Sequence, residues 1–229
     1  MNIVDIVILI FLVFGALIGF KKGFTNQLVS LVGIFVVIIL SFLLKNPVSI
    51  FLYNNLPFVN FGGIFKDITV INILVYELIA FFVIFIVLYI IFRILLKLTK
   101  GFEKILKWTI ILGIPSKILG AILGIVQNAL YTFIVLYILN LPVLNAGIDT
   151  SSTIGDYILE NTPILGNVCD KTLKIFDEIK NLANEYSDTN NVDEFNQEAL
   201  NKMIDVGVIT KENAQNLIDK GKLKNVIIK

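Results

Sequence analysis

Four stretches of this chain are apolar for long enough to cross a lipid bilayer, and no other feature restricts the fold as strongly. They are Ile3–Phe20, Leu28–Leu44, Ile73–Phe92 and Ile118–Leu141. A helix rises about 1.5 Å per residue, so a hydrocarbon core of roughly 30 Å takes about 20 residues to span. Lipid offers no water to a backbone N–H or C=O, so a spanning segment must satisfy its own hydrogen bonds, as a helix does. The sequence therefore predicts an all-α membrane protein: four transmembrane helices with interfacial helices, plus a small helical C-terminal tail. Composition agrees, with 56% of the 229 residues hydrophobic against about 45–50% in ordinary globular domains. The excess lies almost entirely before residue 142. This divides the chain into a transmembrane domain, 1–145, and a soluble helical region, 146–229. Asp5 precedes the first apolar run and Lys21–Lys22 follow it. A cleaved signal peptide has its basic residues first, so the run reads as a retained membrane helix.

Charge orients the bundle. Residues 1–141 hold ten Lys/Arg and four Asp/Glu, a net +6, while residues 142–229 hold nine and fourteen, a net −5. Lys21 and Lys22 lie between the first two expected spans, and Arg93, Lys97, Lys100, Lys104, Lys107 and Lys117 between the last two. Residues 45–72 carry only Lys45 and Lys66 as basic groups. Basic loops stay cytoplasmic, and four spans place both basic loops on that side. Both termini are then expected outside the cytoplasm.

Two segments suggest interfacial elements. Residues 48–65 are apolar but interrupted by Asn54, Asn55, Pro57, Asn60 and Gly62–Gly63, which suits an interfacial or re-entrant segment better than a span. Over 93–108, Arg93, Lys97, Lys100, Lys104 and Lys107 follow i, i+3 and i+4 spacing, forming one cationic helix face. Such a face suits anionic lipid headgroups. In the tail, Lys171–Leu182 carries an apolar stripe of Leu173, Phe176, Ile179 and Leu182. A second helix is expected over 192–206, stopped by Gly207. A third is expected with Thr210 as its cap, Ala214, Leu217 and Ile218 inside and Gly221 at its end.

Small residues recur every fourth position in two spans: Gly15, Gly19 and Gly23 in the first, and Ser116, Gly120 and Gly124, followed by Asn128, in the last. Helices in lipid associate by close backbone contact, and small residues at this spacing leave room for it. These positions are read as packing surfaces, within the bundle or between subunits. Four polar residues fall at membrane depth: Asp5, Glu77, Gln127 and Asn128. Such groups are costly in lipid and usually face the bundle interior. Glu77 has no cation near it within its own span.

Several classes of chemistry are excluded. There is no histidine and a single cysteine, Cys169, which removes histidine acid–base catalysis, most zinc sites and any intramolecular disulfide. No Gly-x-Ser-x-Gly motif or phosphate-cradling glycine loop is present. Asp149–Thr150–Ser151 echoes the aspartic-protease turn but has no second copy to share a proton with. No enzyme activity, metal, cofactor or nucleic-acid partner is expected.

The order of these motifs resembles the colicin V production protein family of membrane proteins. The likeness runs from Val4–Asp5 through Lys21–Lys22–Gly23–Phe24 and Leu28–Val29–Ser30–Leu31–Val32. It continues through Ser116–Lys117–Ile118–Leu119–Gly120–Ala121–Ile122–Leu123–Gly124 to Ser151–Ser152 and Pro163. It covers roughly residues 1–165. Gln127 and Asn128 stand where the family often has a basic residue and a glycine, and residues 166–229 extend beyond its core. The resemblance implies a non-enzymatic inner-membrane protein with a part in producing or exporting a secreted toxin and in envelope maintenance. The expected partners are the bilayer, anionic headgroups, and a second copy or another membrane protein. Three readings follow: a scaffold or accessory factor, a small channel or transporter lined by Asp5, Glu77 and Asn128, and an anchor for a signalling or protease partner.

Overall fold

The computed structural model describes residues 2–62, 68–99, 114–139, 152–161, 175, 178–179, 181–182, 185–186 and 191–228. The elements are α1 (Ile3–Asn55), α2 (Ile71–Thr99), α3 (Ile114–Leu139), α4 (Thr153–Asn161), α5 (Val192–Val206) and α6 (Lys211–Asp219). No strand occurs among the described residues.

Among the described residues three helices, not the expected four, are long and apolar enough to cross a membrane. The difference lies in α1, whose 53 residues cover both of the first two expected spans. At 1.5 Å per residue its helical turns add up to about 80 Å along the chain, more than twice a hydrocarbon core. Its helical dihedrals fail at Gly23 (φ 74°, ψ 171°), a conformation that a Cβ would penalise. The helix also runs through Pro47 to Asn55, further than Leu44. Residues 48–55 are thus a helical continuation of α1. Arg93–Thr99 likewise extends α2, while Lys100, Lys104 and Lys107 lie outside the described residues.

Contacts group the chain into two compact units, Met1–Leu40 with Phe85–Ile164, and Ser41–Ile84 with Leu165–Lys229. This grouping follows packing, whereas the 1–145 and 146–229 division follows hydropathy. In the first unit, α1 up to Leu40 buries Ile8, Leu31, Ile34, Val37 and Ile38, and α3 buries Leu130, Phe133 and Leu136. Val7, Ile10, Phe14 and Leu17 stay 53–60% exposed on α1. Apolar surface on this scale is a liability in water and belongs against lipid. Phe92 of α2 presses its ring onto the backbone of α1 at Gly33, where a Cβ would overlap it.

The second unit has a conventional core. Val70, Ile71, Ile73 and Leu74 at the start of α2 are at most 1% exposed, as are Phe195, Ala199, Leu200, Met203, Ala214 and Leu217 of α5 and α6. Asn191 caps α5 by accepting from Glu194 N (3.4 Å), and left-handed Gly207 ends it. Thr210 caps α6 by accepting from Asn213 N (3.2 Å). Gly221 takes a left-handed conformation two residues after α6 ends. Ile175, Ile179 and Leu182 are helical and buried. Leu173 and Phe176 of the expected stripe lie outside the described residues.

Candidate functional site

The first unit holds a seam between α1 and α3. A Cβ on Gly15 would meet the Gly124 carbonyl and the Asn128 side chain, and one on Gly19 would overlap the Gly120 carbonyl. A Cβ on Gly120 would meet Gly19 and Gly23, and one on Gly124 would meet Gly15. Rising positions on one helix thus meet falling positions on the other, so the first part of α1 and α3 run antiparallel in backbone contact. Ser116 ends this row with a further task. Its Oγ accepts from Phe24 N (3.2 Å), an amide that the break at Gly23 leaves without an intrahelical acceptor. Asn128 closes the other end, donating from Nδ2 to the Phe11 carbonyl (2.6 Å).

Two polar clusters flank the seam. Gln27 Nε2 donates to Gln127 Oε1 (2.7 Å), and Gln127 Nε2 donates to the Tyr131 hydroxyl (2.8 Å). Asp5, only 2% exposed, accepts through Oδ1 from Ser152 Oγ (2.5 Å) and Ile154 N (3.2 Å), and through Oδ2 from Asn2 N (2.9 Å). Ser152 Oγ in turn accepts from Gly155 N (2.9 Å). A carboxylate at the start of α4 meets the orphan N–H groups and the positive end of the helix dipole. Asp5 is therefore a capping residue borrowed from a distant part of the chain.

The second unit holds a buried charge pair. Glu77 of α2 is 4% exposed and Lys45 of α1 is 9% exposed. The Lys45 ammonium pairs with Glu77 Oε2, and Ser49 Oγ donates to Glu77 Oε1. Sequence reading found no cation for Glu77 because it searched Glu77's own span. The cation comes from α1, whose continuation past Leu44 brings Lys45 onto a helix. Ser41, Lys45, Ser49 and Tyr53 recur every fourth residue and are all buried, so one face of α1 carries the partners of Glu77. Lys45 also lies 5.1 Å from the Phe42 ring centre.

Near the start of α2, the Asn72 amide grips the extended segment after α1. Its Oδ1 accepts from Val59 N (2.8 Å) and its Nδ2 donates to Val59 O (3.0 Å). The Tyr76 hydroxyl donates to Pro57 O (2.5 Å). Lys222 donates to the carbonyls of Tyr53, Asn54 and Leu56. Partial burial, and then the neighbouring Lys220, hold its ammonium below the usual lysine range.

Sequence reading missed Lys45, Ser49, Gln27, Asn72 and Lys222. The only available signal was the four-residue recurrence of Ser41, Lys45, Ser49 and Tyr53, which crosses Pro47. Arg93 and Lys97 lie on α2, with Arg93 5.9 Å from the Tyr89 ring centre.

These features define a helical membrane protein whose spans carry a close-packed glycine seam and internally paired polar groups. The chain belongs to the colicin V production protein family, whose model matches residues 4–163. It is also similar to the uncharacterized transmembrane protein YshB of Bacillus subtilis (strain 168). The two are 28% identical over 177 residues, covering 72% of this chain and 93% of that protein. No solved structure matches the chain.

Proposed function

We propose that this protein is a non-enzymatic scaffold or accessory factor of the inner membrane, acting in production or export of a colicin V-like toxin and in envelope maintenance. The toxin role comes from the family's description. The scaffold reading rests on one observation: Asp5, Glu77, Gln127 and Asn128 each have a partner within their own unit. A channel or transporter needs polar groups turned toward a wet path, and these are turned toward serine, lysine, tyrosine and backbone groups. The glycine seam is filled by the chain's own helices, so contact with a second copy or another membrane protein falls to other faces. Arg93 and Lys97 of α2 are the described basic residues available to anionic headgroups.

The proposed topology has four crossings, with α1 crossing twice and turning at Gly23. Three features support it. The length of α1 exceeds one bilayer, Lys21–Lys22 sit beside the break, and the two helices in the seam run antiparallel. Both termini then lie outside the cytoplasm.

Two measurements test this function. Crosslinking of tagged protein in native membranes should yield discrete adducts with itself or with a membrane protein. Purified protein in sealed vesicles should carry no proton or ion flux. Protein-dependent flux that Glu77→Gln abolishes would overturn the scaffold reading.

A further inference from the structure

The charge pair lies close to one end of α1. Lys45, Ser49 and Tyr53 stand on one face, and Tyr53, nearest the end, is 1% exposed. The last carbonyls of a helix have no partner within it. Here those of Tyr53 and Asn54 are taken by the C-terminal segment. Nζ of Lys222 donates to Tyr53 O (2.7 Å), Asn54 O (2.8 Å) and Leu56 O (2.9 Å). It also lies 5.5 Å from the Phe58 ring centre, and Lys220 Nζ reaches Asn54 Oδ1 (3.1 Å). A cation at a helix C-terminus also meets the negative end of the dipole.

The same segment holds the start of α2. Val70 N donates to Oδ1 of Asn196 (3.3 Å), a side chain only 3% exposed. Ile71, Asn72, Ile73 and Leu74 follow, four consecutive residues of at most 1% exposure. A helix covered on one side shows its other side every two or three residues, so this first turn is enclosed all round. Glu77 lies within the next turn.

We infer that residues 191–228 form a latch that seals the ends of α1 and α2 over the Lys45–Glu77 pair, and that its release admits water to the pair. Enclosure by apolar side chains keeps the site dry. The hold on the backbone at the end of α1 converges on the Lys222 ammonium, which spans three carbonyls, with Lys220 adding one side-chain contact, so Lys222 chiefly governs whether that end is closed. The latch does not depend on the scaffold reading, because it concerns access to the pair and not what the protein serves.

Water access can be read by thiol labelling in opened membranes, which expose both faces. Cys169→Ser removes the single cysteine. Ser49→Cys then reports at the pair, and Thr132→Cys reports at a buried site in the other unit. With a charged, membrane-impermeant maleimide both reporters should label slowly. Adding Lys222→Met should speed Ser49→Cys labelling at least about tenfold, the factor that the loss of even one charge-assisted hydrogen bond carries, and leave Thr132→Cys slow. Lys222→Arg keeps the cation and should keep the parental rate. An unchanged Ser49→Cys rate in the Lys222→Met background would overturn the latch. A parallel rise at Thr132→Cys would overturn it too, since Lys222 would then be holding the whole fold.

Discussion

Removing one member of the Lys45–Glu77 pair should cost far more than removing both. The side chains of Lys45 and Glu77 are 11% and 5% exposed, so a lone charge left at either position has little water to turn to. Breaking a buried pair from one side typically costs about 3–5 kcal/mol, while replacing both partners with neutral groups of similar size is often neutral or stabilising. Glu77→Gln and Lys45→Met should therefore each destabilise by about 3–5 kcal/mol, and the double variant by under about 1 kcal/mol. Ser49 can still donate to the amide carbonyl that Glu77→Gln introduces. The assay is thermal unfolding in mild detergent, where about 2–4 °C is expected per kcal/mol for a chain of this length. Single variants should melt roughly 10 °C early and the double variant near the parent. Single variants as stable as the parent, or a double variant whose loss is the sum of the two, would refute this reading of the pair.

The seam makes a steric prediction: Gly120→Leu or Gly124→Leu should destabilise by at least about 1–3 kcal/mol, through overlap with the Gly19 or Gly15 backbone. Leu123→Ala, away from that contact, should matter less, and the same detergent melts will compare them. Asp5→Ala should loosen α4 by about 0.5–2 kcal/mol, the ordinary value of a helix cap. Limited proteolysis should then cut faster within 152–161, and an unchanged rate would dismiss the capping role. Gly23→Ala should cost about 1–2 kcal/mol because its left-handed φ admits a side chain poorly; a variant as stable as the parent would mean that the break can form elsewhere. A reporter fused after Lys229 should be active outside the cytoplasm, and activity only inside would remove the proposed orientation.

Local chemistry was legible in the sequence, and pairing across the chain was not. Thr210 and Gly207 mark the ends of α5 and α6 by side-chain capping and left-handed backbone, signals carried by one or two residues. The spacing of Gly15, Gly19, Gly120 and Gly124 announced close packing, but nothing in it chose the antiparallel register that sets Gly19 against Gly120. Lys45 looked like a loop residue because Asn46 and Pro47 follow it. Pro47 did not end the helix, since a proline in a membrane helix is tolerated where neighbours re-satisfy the freed backbone. That single continuation moved Lys45 onto the face that meets Glu77. Asp5 and Ser152 are 147 residues apart, and neither residue type names its partner. Lys222 lay in a tail that looked detached, because a cation serving as cap for another helix has no sequence periodicity.

The most direct measurement is complementation by the variant that carries both Glu77→Gln and Lys45→Met, expressed in a strain lacking its own copy, with a blot for abundance. The pair is structural in a scaffold, and the double change removes both charges without leaving either one stranded. Full restoration of the deletion phenotype at parental abundance is the expected result. Loss of function at parental abundance and normal membrane insertion would contradict it, because the charges themselves would then be required for the activity.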